Sequence, residues 1–394
     1  MSLLVTVTGP DHPGVTAGLF DALDGVEFTD VEQVVVHDRL LLGFVLATDS
    51  TSVREALTDA ARAVSVEVEF TPVPDREEAR GAVRHHVTVL GLPLPAAAVA
   101  GITRRLAASG ANIESIRRLA SYPAPAYELL VAGGDTTGLR AGLAGEAVAQ
   151  GVDIAVERAS LYRRARRLVV LDVDSTLVQG EVIEMLAAEA GCEAEVARVT
   201  AAAMAGELDF EASLRQRVKL LAGLPVDAVD RVRGAVRLTP GARTLVRTLK
   251  RMGYAVGVVS GGFTAVTDDL VADLGLDHVL ANVLEVVDGR LTGEVVGAVV
   301  DRAAKAAALR RFAAAKGVTL AQTVAIGDGA NDLDMLELAG LGIAFNAKPV
   351  VREAADAALS VPFLDAVLFL LGITREEIEA ADASDTENGG RGRS

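Results

Sequence analysis

The sequence predicts an α/β protein: a parallel sheet interrupted by a helical insert, preceded by two smaller units of βαββαβ order. Three observations carry this. First, short apolar runs that end in Asp, Ser or Gly recur after residue 167, and such runs read as strands buried on both faces. Second, Val5-Thr6-Val7-Thr8-Gly9 returns 82 residues later as Val87-Thr88-Val89-Leu90-Gly91. Third, the chain between the first buried run and the next, at Ala255, reads as helical throughout.

The repeat sets the elements of the first 160 residues. Each copy continues through a Pro-containing turn into a helical stretch ending in Gly, Ala17 to Gly25 and Ala98 to Gly110. Strands follow at Val31 to Val36 and Leu40 to Ala47 in copy one, and at Ile113 to Leu119 and Tyr127 to Ala132 in copy two. A second helix (Val53 to Ala63; Leu139 to Ala149) and a last strand (Val66 to Phe70; Val152 to Val156) complete the ferredoxin-like plan. The expected domains are 1–75 and 84–160, joined by the linker Thr71 to Arg80. Arg163-Arg164-Ala165-Arg166-Arg167 reads as a solvated basic joint to a third domain, 166–372.

That domain opens on Leu168-Val169-Val170-Leu171, which runs into Asp172 and Asp174. Ligands of open parallel sheets sit beyond the carboxyl ends of strands, so chemistry is expected at these two acids. At about 4 Å and an effective dielectric of about 20, like charges repel by about 4 kcal/mol. A divalent cation removes that cost, and Mg²⁺ is the usual choice near phosphate. The Ser175 and Thr176 hydroxyls follow at once and are expected to donate to phosphate oxygens. Helices are expected over Val182 to Gly191, Glu193 to Ala205, Asp209 to Leu221 and Val226 to Ala235, then at Ala242 to Arg251.

A second buried strand, Tyr254 to Val259, ends at Ser260-Gly261-Gly262, a hydroxyl and flexible backbone suited to an anion. Asp288-Gly289 marks a hairpin. Lys305 lies in an Ala-rich helix, Asp301 to Ala315. A third strand ends at Gly327-Asp328-Gly329-Ala330-Asn331-Asp332, which lacks the spacing and closing Glu of a calcium loop. Gly342 to Phe345 is a final strand. Residues 380–394, polar and Gly-rich, are expected to be disordered.

Composition narrows the function. The 394 residues are 51% apolar and 23% charged, enough for a sizeable core and unlike a disordered chain. A net charge of −16 with no Lys/Arg-rich block argues against nucleic acid and anionic membranes. The single cysteine, Cys192, has no basic neighbour, permits no disulfide framework and reads as a packed or idle thiol. With no leader and no long apolar run, a soluble cytoplasmic protein is expected.

The Asp172 to Thr176 run resembles the DxDx[TV] signature of the haloacid dehalogenase-like phosphatases. Ser260, Lys305 and the GDGxND run resemble the remaining motifs of that family, in order and at family spacing. The resemblance implies a Rossmannoid sheet with a helical cap at about 180–240. It implies Asp172 as nucleophile and Asp174 as general acid/base. It also implies Mg²⁺ held by Asp172, Asp328 and the backbone carbonyl of Asp174. Ser260, Gly261 and Lys305 would hold the transferring phosphoryl group, with Asn331 and Asp332 beside it.

Glu181 and Arg217 match positions that hold the amino and carboxylate groups of serine in the phosphoserine phosphatases, and Met204 and Phe210 match positions that cover the substrate. This resemblance implies hydrolysis of O-phospho-L-serine to L-serine, the last step of serine biosynthesis, through an aspartyl phosphate. The alternatives are a phosphotransferase or mutase of the same superfamily, or an amino-acid sensor with residual catalysis.

The two N-terminal units resemble ACT domains. Gly9-Pro10-Asp11-His12-Pro13-Gly14 looks like the first loop of that family; copy two lacks its Asp and second Gly but keeps Gly110-Ala111-Asn112. The resemblance implies L-serine as an effector near Gly9, Asp11, Gly14 and Asn112. Pairing of the edge strands of these units into a homodimer is also expected.

Overall fold

The computed structural model describes residues 2–74, 83–204 and 208–391, leaving aside the side chains at 204 and 385–391. Part of the expected linker and the side chain of Met204 therefore lie outside the described residues. The chain forms two compact units, Met1–Gly81 and Ala82–Ser394.

The first unit runs β1 (Ser2–Pro10), α1 (Val15–Asp21), β2 (Phe28–Val36), β3 (Arg39–Leu46), α2 (Thr51–Ala63), β4 (Glu67–Val73). Its antiparallel sheet has the order β2-β3-β1-β4. Alternation decides which face is covered: Leu3, Val5 and Val7 of β1 and Leu40, Leu42, Phe44 and Leu46 of β3 are buried with Leu19 and Leu57. Ser50 caps α2, accepting from the Val53 N–H at 3.3 Å.

The second unit begins with the same plan: β5 (Arg84–Leu90), α3 (Ala96–Ala108), β6 (Asn112–Ala120), β7 (Ala126–Ala132), α4 (Thr136–Gln150) and β8 (Asp153–Arg158), in sheet order β6-β7-β5-β8. A short helix, α5 (Leu161–Arg164), leads to β9 (Leu168–Leu171). Four helices follow, α6 (Val182–Ala190), α7 (Glu193–Met204), α8 (Phe210–Lys219) and α9 (Val226–Ala235). Then come α10 (Ala242–Arg251), β10 (Ala255–Phe263), α11 (Thr264–Leu274), β11 (His278–Val287), β12 (Arg290–Val296), α12 (Arg302–Lys316) and β13 (Thr323–Gly327). The chain closes with α13 (Leu333–Leu338), β14 (Leu341–Phe345), α14 (Pro349–Ala354), β15 (Ala357–Leu359), α15 (Val367–Leu370) and α16 (Arg375–Arg391).

The large sheet has the order β12-β11-β10-β9-β13-β14-β15, parallel except for β12. Val169 and Leu171 of β9 face one apolar layer, Leu168 and Val170 the other, so both faces are covered and the strand sequence shows no alternation. The hairpin joining β11 to β12 turns at Asp288 and Gly289, both with positive φ, as the Asp-Gly pair predicts.

Two expectations need correction. The basic joint is solvated only in part. Arg166 is 3% exposed, and Arg163 and Arg166 both pair with Glu157 of β8. Arg163 also reaches Glu128 at 2.5 Å. Burial would raise the Glu128 carboxyl, but His86 and Arg163 outweigh it and hold its pKa at about 2. Arg163 and Arg166 thus form a buried ion network fastening the second βαββαβ region to the large sheet, while Arg164 and Arg167 stay exposed as expected, and Ser360 extends the contact by donating its N–H to Asp153 at 2.6 Å. The second correction concerns the tail. Helix α16, Arg375–Arg391, runs into the stretch 380–394 where disorder was expected; within that stretch Asp382 accepts from Arg247 and pairs with Arg251, and residues 392–394 lie outside the described residues.

Candidate active site

The site lies at the carboxyl ends of β9, β10 and β13. The Asp172 N–H donates to Ile326 O at 2.9 Å, which keeps the ends of β9 and β13 level. Carboxylate oxygens of Asp172, Asp328 and Asp332 all come within 4.8 Å of one another. Lys305, wholly buried on α12, places Nζ 2.7 Å from Asp172 Oδ1 and 2.7 Å from Asp332 Oδ1. Asp332 in turn accepts the Gly329 N–H at 3.0 Å.

After Asp172 the chain makes one tight turn, with Ser175 at φ 56°, a left-handed conformation uncommon outside glycine. That turn aims two side chains away from where the sequence reading put them. Ser175 Oγ donates to Glu181 Oε1 at 2.9 Å, and Thr176 Oγ1 donates to Asp328 Oδ1 at 3.2 Å. The hydroxyls expected to meet phosphate oxygens instead orient two carboxylates. Asp174 accepts from the Val182 N–H at 2.8 Å and from Ser260 Oγ at 3.2 Å.

Strand β10 breaks register with β11 between Val259 and Phe263, which places the Ser260-Gly261-Gly262 segment at the site. The close approach leaves little room for a side chain here. A Cβ on Gly262 would lie 2.6 Å from Asp174 Oδ2, and one on Gly261 would lie 3.1 Å from the Phe210 ring. Phe210 of α8 therefore covers this turn. Arg217, about two turns further along α8, is half-buried and forms no ion pair among the described residues. Burial lowers its pKa, against the pull of Glu181, Glu184 and Asp174. Asn331 is partly buried within the turn 330–332.

The electrostatics favour a bound cation. Burial, then the neighbouring Asp332, raises the Asp172 carboxyl well above its ordinary value. Burial and Glu181 push Asp174 up to about 6; burial and Asp332 push Asp328 up to about 7. Lys305 would be lowered by burial, but Asp172 and Asp332 outweigh this and hold it above its usual range. Five acids face two cations, and the acids nearest the strand ends offer only oxygen. Such a set suits a hard divalent ion.

Asp172, Asp174, Glu181, Phe210, Ser260, Gly261, Lys305, Asp328 and Asp332 thus come together at the strand ends, with Arg217 in electrostatic reach of Glu181 and Asp174; the side chain of Met204 is not described. Gly9 lies buried near the end of β1, and Asp11 and Gly14 lie exposed in the β1–α1 turn of the first unit, Gly14 at φ 96°. Asn112 is exposed at the start of β6. One buried polar residue of the site went unread: Asn282, 2% exposed on β11, bonded to Gly261 and Val300. Its only trace in the sequence is a lone amide inside the apolar stretch from His278 to Val287.

A family model for haloacid dehalogenase-like hydrolases matches residues 169–337, and models for ACT domains match 1–71 and 83–157. The parallel sheet with acids at its strand ends defines that hydrolase class. Relatives narrow it. The chain is 60% identical to a phosphoserine phosphatase of Streptomyces coelicolor, over all of this chain and 97% of the relative. It is 52% identical to phosphoserine phosphatase SerB2 of Mycobacterium tuberculosis, over 98% of this chain and 96% of that one. A solved structure described as a phospho-aspartyl intermediate analogue of phosphoserine phosphatase is 45% identical over 52% of this chain and 98% of its own, with a TM-score of 0.50. The chain belongs to the phosphoserine phosphatase family.

Proposed function

We propose that the protein hydrolyses O-phospho-L-serine to L-serine and phosphate, with Asp172 as nucleophile. The observation that carries this is Asp172 itself, buried at a strand end, held by Lys305 and grouped with Asp328. It is supported by full-length similarity to phosphoserine phosphatases.

Asp172 attacks phosphorus in line and becomes an aspartyl phosphate while the serine oxygen departs. Asp174 protonates that oxygen and then takes a proton from the attacking water; a pKa of about 6 suits both directions near neutral pH. Ser260 and Lys305 face the equatorial oxygens and stabilise their charge. Arg217 takes the substrate carboxylate in a planar two-pronged contact, and Glu181, oriented by Ser175, takes the ammonium. Phe210 covers the substrate and excludes water. Asp172, Asp328 and the Asp174 carbonyl would hold Mg²⁺, which when bound supplies neutralisation of phosphoryl charge.

The same reading makes L-serine an effector of the ACT regions, supported by two ACT-model matches and the exposed turn at Asp11 and Gly14. It makes the working form a cytoplasmic homodimer. Among the described residues, no helix is long and apolar enough to cross a membrane.

The deciding experiment is phosphate release from a panel of phosphorylated amino acids and sugars with and without Mg²⁺. Preference for O-phospho-L-serine and dependence on the metal are expected. Equal rates across the panel would remove the serine-specific reading, and no release from any monoester would remove the phosphatase.

A further inference from the structure

Asn282 bridges two segments that carry phosphate-facing groups. Its Nδ2 donates to Gly261 O at 2.8 Å, and its Oδ1 accepts from the Val300 N–H at 2.8 Å. These partners settle the amide's orientation, because a carbonyl can only accept and an N–H can only donate. The side chain is 2% exposed, so both bonds are made away from water.

The first bond acts on more than a loop. Gly261 O and the Gly262 N–H belong to one planar peptide. Fixing the carbonyl fixes the plane, and that plane's N–H donates to Ser260 Oγ at 2.7 Å. An oxygen already accepting a hydrogen bond turns its own proton elsewhere, and here it points to Asp174 Oδ2 at 3.2 Å. The second bond holds Val300, next to Asp301, the residue that caps α12 by accepting from the Ala304 N–H at 2.8 Å. Lys305 sits on the first turns of that helix, and its N–H donates to Asp301 O at 3.0 Å.

We infer that Asn282 is a positioning residue for the phosphoryl site: by holding the Gly262 N–H on Ser260 Oγ it leaves the serine proton to point outward, to Asp174 Oδ2 in the free site and to a phosphoryl oxygen when substrate is bound, and it keeps the start of the Lys305 helix in register with that serine. The inference rests on the reading of Ser260 as a group that faces phosphate. An ionised or differently placed side chain at 282 leaves the fold's apolar contacts in place while releasing the peptide that orients Ser260. Asn282→Asp is the sharpest change, since it preserves size and the Val300 bond and, once ionised, sets an acceptor against Gly261 O; rates are therefore read across pH, because a protonated carboxyl restores the donor.

The test is a double-mutant cycle on the full-length enzyme, reading kcat and KM for O-phospho-L-serine with saturating Mg²⁺. Asn282→Asp is expected to lower kcat about 10- to 100-fold, with KM changed by less than about threefold, the pattern of an interaction that acts in the transition state. Ser260→Ala alone tests the underlying reading; if it leaves kcat unchanged, Ser260 does not serve the phosphoryl group and that reading fails first. If Ser260→Ala costs activity, adding Asn282→Asp should cost little more, because both act through one hydroxyl. Full additivity of the two losses, or wild-type kcat in Asn282→Asp, overturns the inference. Should Asn282→Asp not fold, judged by its thermal transition, Asn282→Ser is read alone: a fall in kcat at nearly constant KM supports the inference, and wild-type kcat overturns it.

Discussion

Lys305 Nζ and Asp172 Oδ1 lie 2.7 Å apart, and the lysine has no contact with solvent. The ammonium is shared with Asp332, so one buried cation holds two carboxylates that would otherwise repel. Replacing it with Met should therefore destabilise the metal-free protein as well as stop turnover. A loss of about 3–5 kcal/mol is expected, the scale of breaking a buried ion pair from one side. Burial and Asp332 raise the Asp172 carboxyl, and removing the lysine removes the charge that opposes this, so protonation in acid relieves the unpaired carboxylate. The loss should accordingly be larger at the higher pH. Chemical denaturation at two pH values in the presence of a chelator checks this, and the reverse order would refute it.

Asp172→Asn should abolish turnover, by about 10⁴-fold or more, the scale on which a covalent nucleophile acts. Substrate binding should survive, measured by calorimetry. Asp174→Asn should cost about 10²- to 10⁴-fold, the range for a general acid or base. A protein with Asn at 172 and normal rates would require another nucleophile.

Metal affinity should depend on pH with a definite sign. Burial and Asp332 place Asp328 at about 7 in the metal-free site. Mg²⁺ must displace that proton, so the concentration for half-saturation should rise as pH falls below 7, by about tenfold per unit. Above that range the dependence should flatten. Magnesium titrations of activity at pH 6, 7 and 8 read the slope, and a level profile would take Asp328 out of the metal site.

Arg217→Ala should separate substrates. Loss of one charge-assisted contact is worth about 1.5–3 kcal/mol, so KM for O-phospho-L-serine should rise roughly 10- to 150-fold. Hydrolysis of p-nitrophenyl phosphate, which lacks a carboxylate, should stay within about twofold by the same reasoning. Equal losses on both substrates would mean that Arg217 supports the cap rather than reading the carboxylate.

L-serine should bind the full-length chain at a site other than the catalytic cleft. Calorimetry in the Arg217→Ala background suppresses product binding there. A remaining transition is expected, weakened by Asp11→Ala if the first ACT region holds the ligand and by Asn112→Ala if the second does. A flat titration up to millimolar serine would end the effector assignment.

Much of this was written in local spacing. The Asp172-x-Asp174 run, the Ser260 turn and the Gly327-to-Asp332 turn all follow strands whose apolar runs mark them, and the hairpin followed from Asp288-Gly289. Helices α9 and α10 lie where their periodicity put them. What escaped was of another kind. Ser175 and Thr176 were misdirected because their acceptors depend on the turn at Ser175 and on a strand 152 residues away. Arg163 and Arg166 looked like any basic stretch until Glu128 and Glu157 enclosed them.

By itself, then, the sequence determined the strands, the turns and the identity of the acids at the strand ends, because backbone preference and apolar period act over a few neighbouring residues. Only the tertiary structure decided which hydroxyl meets which carboxylate, which arginines leave water, and that Asn282 joins the Ser260 turn to the Lys305 helix. The physical reason is that desolvation and hydrogen-bond partnership are set by groups that are distant along the chain and adjacent only after it folds.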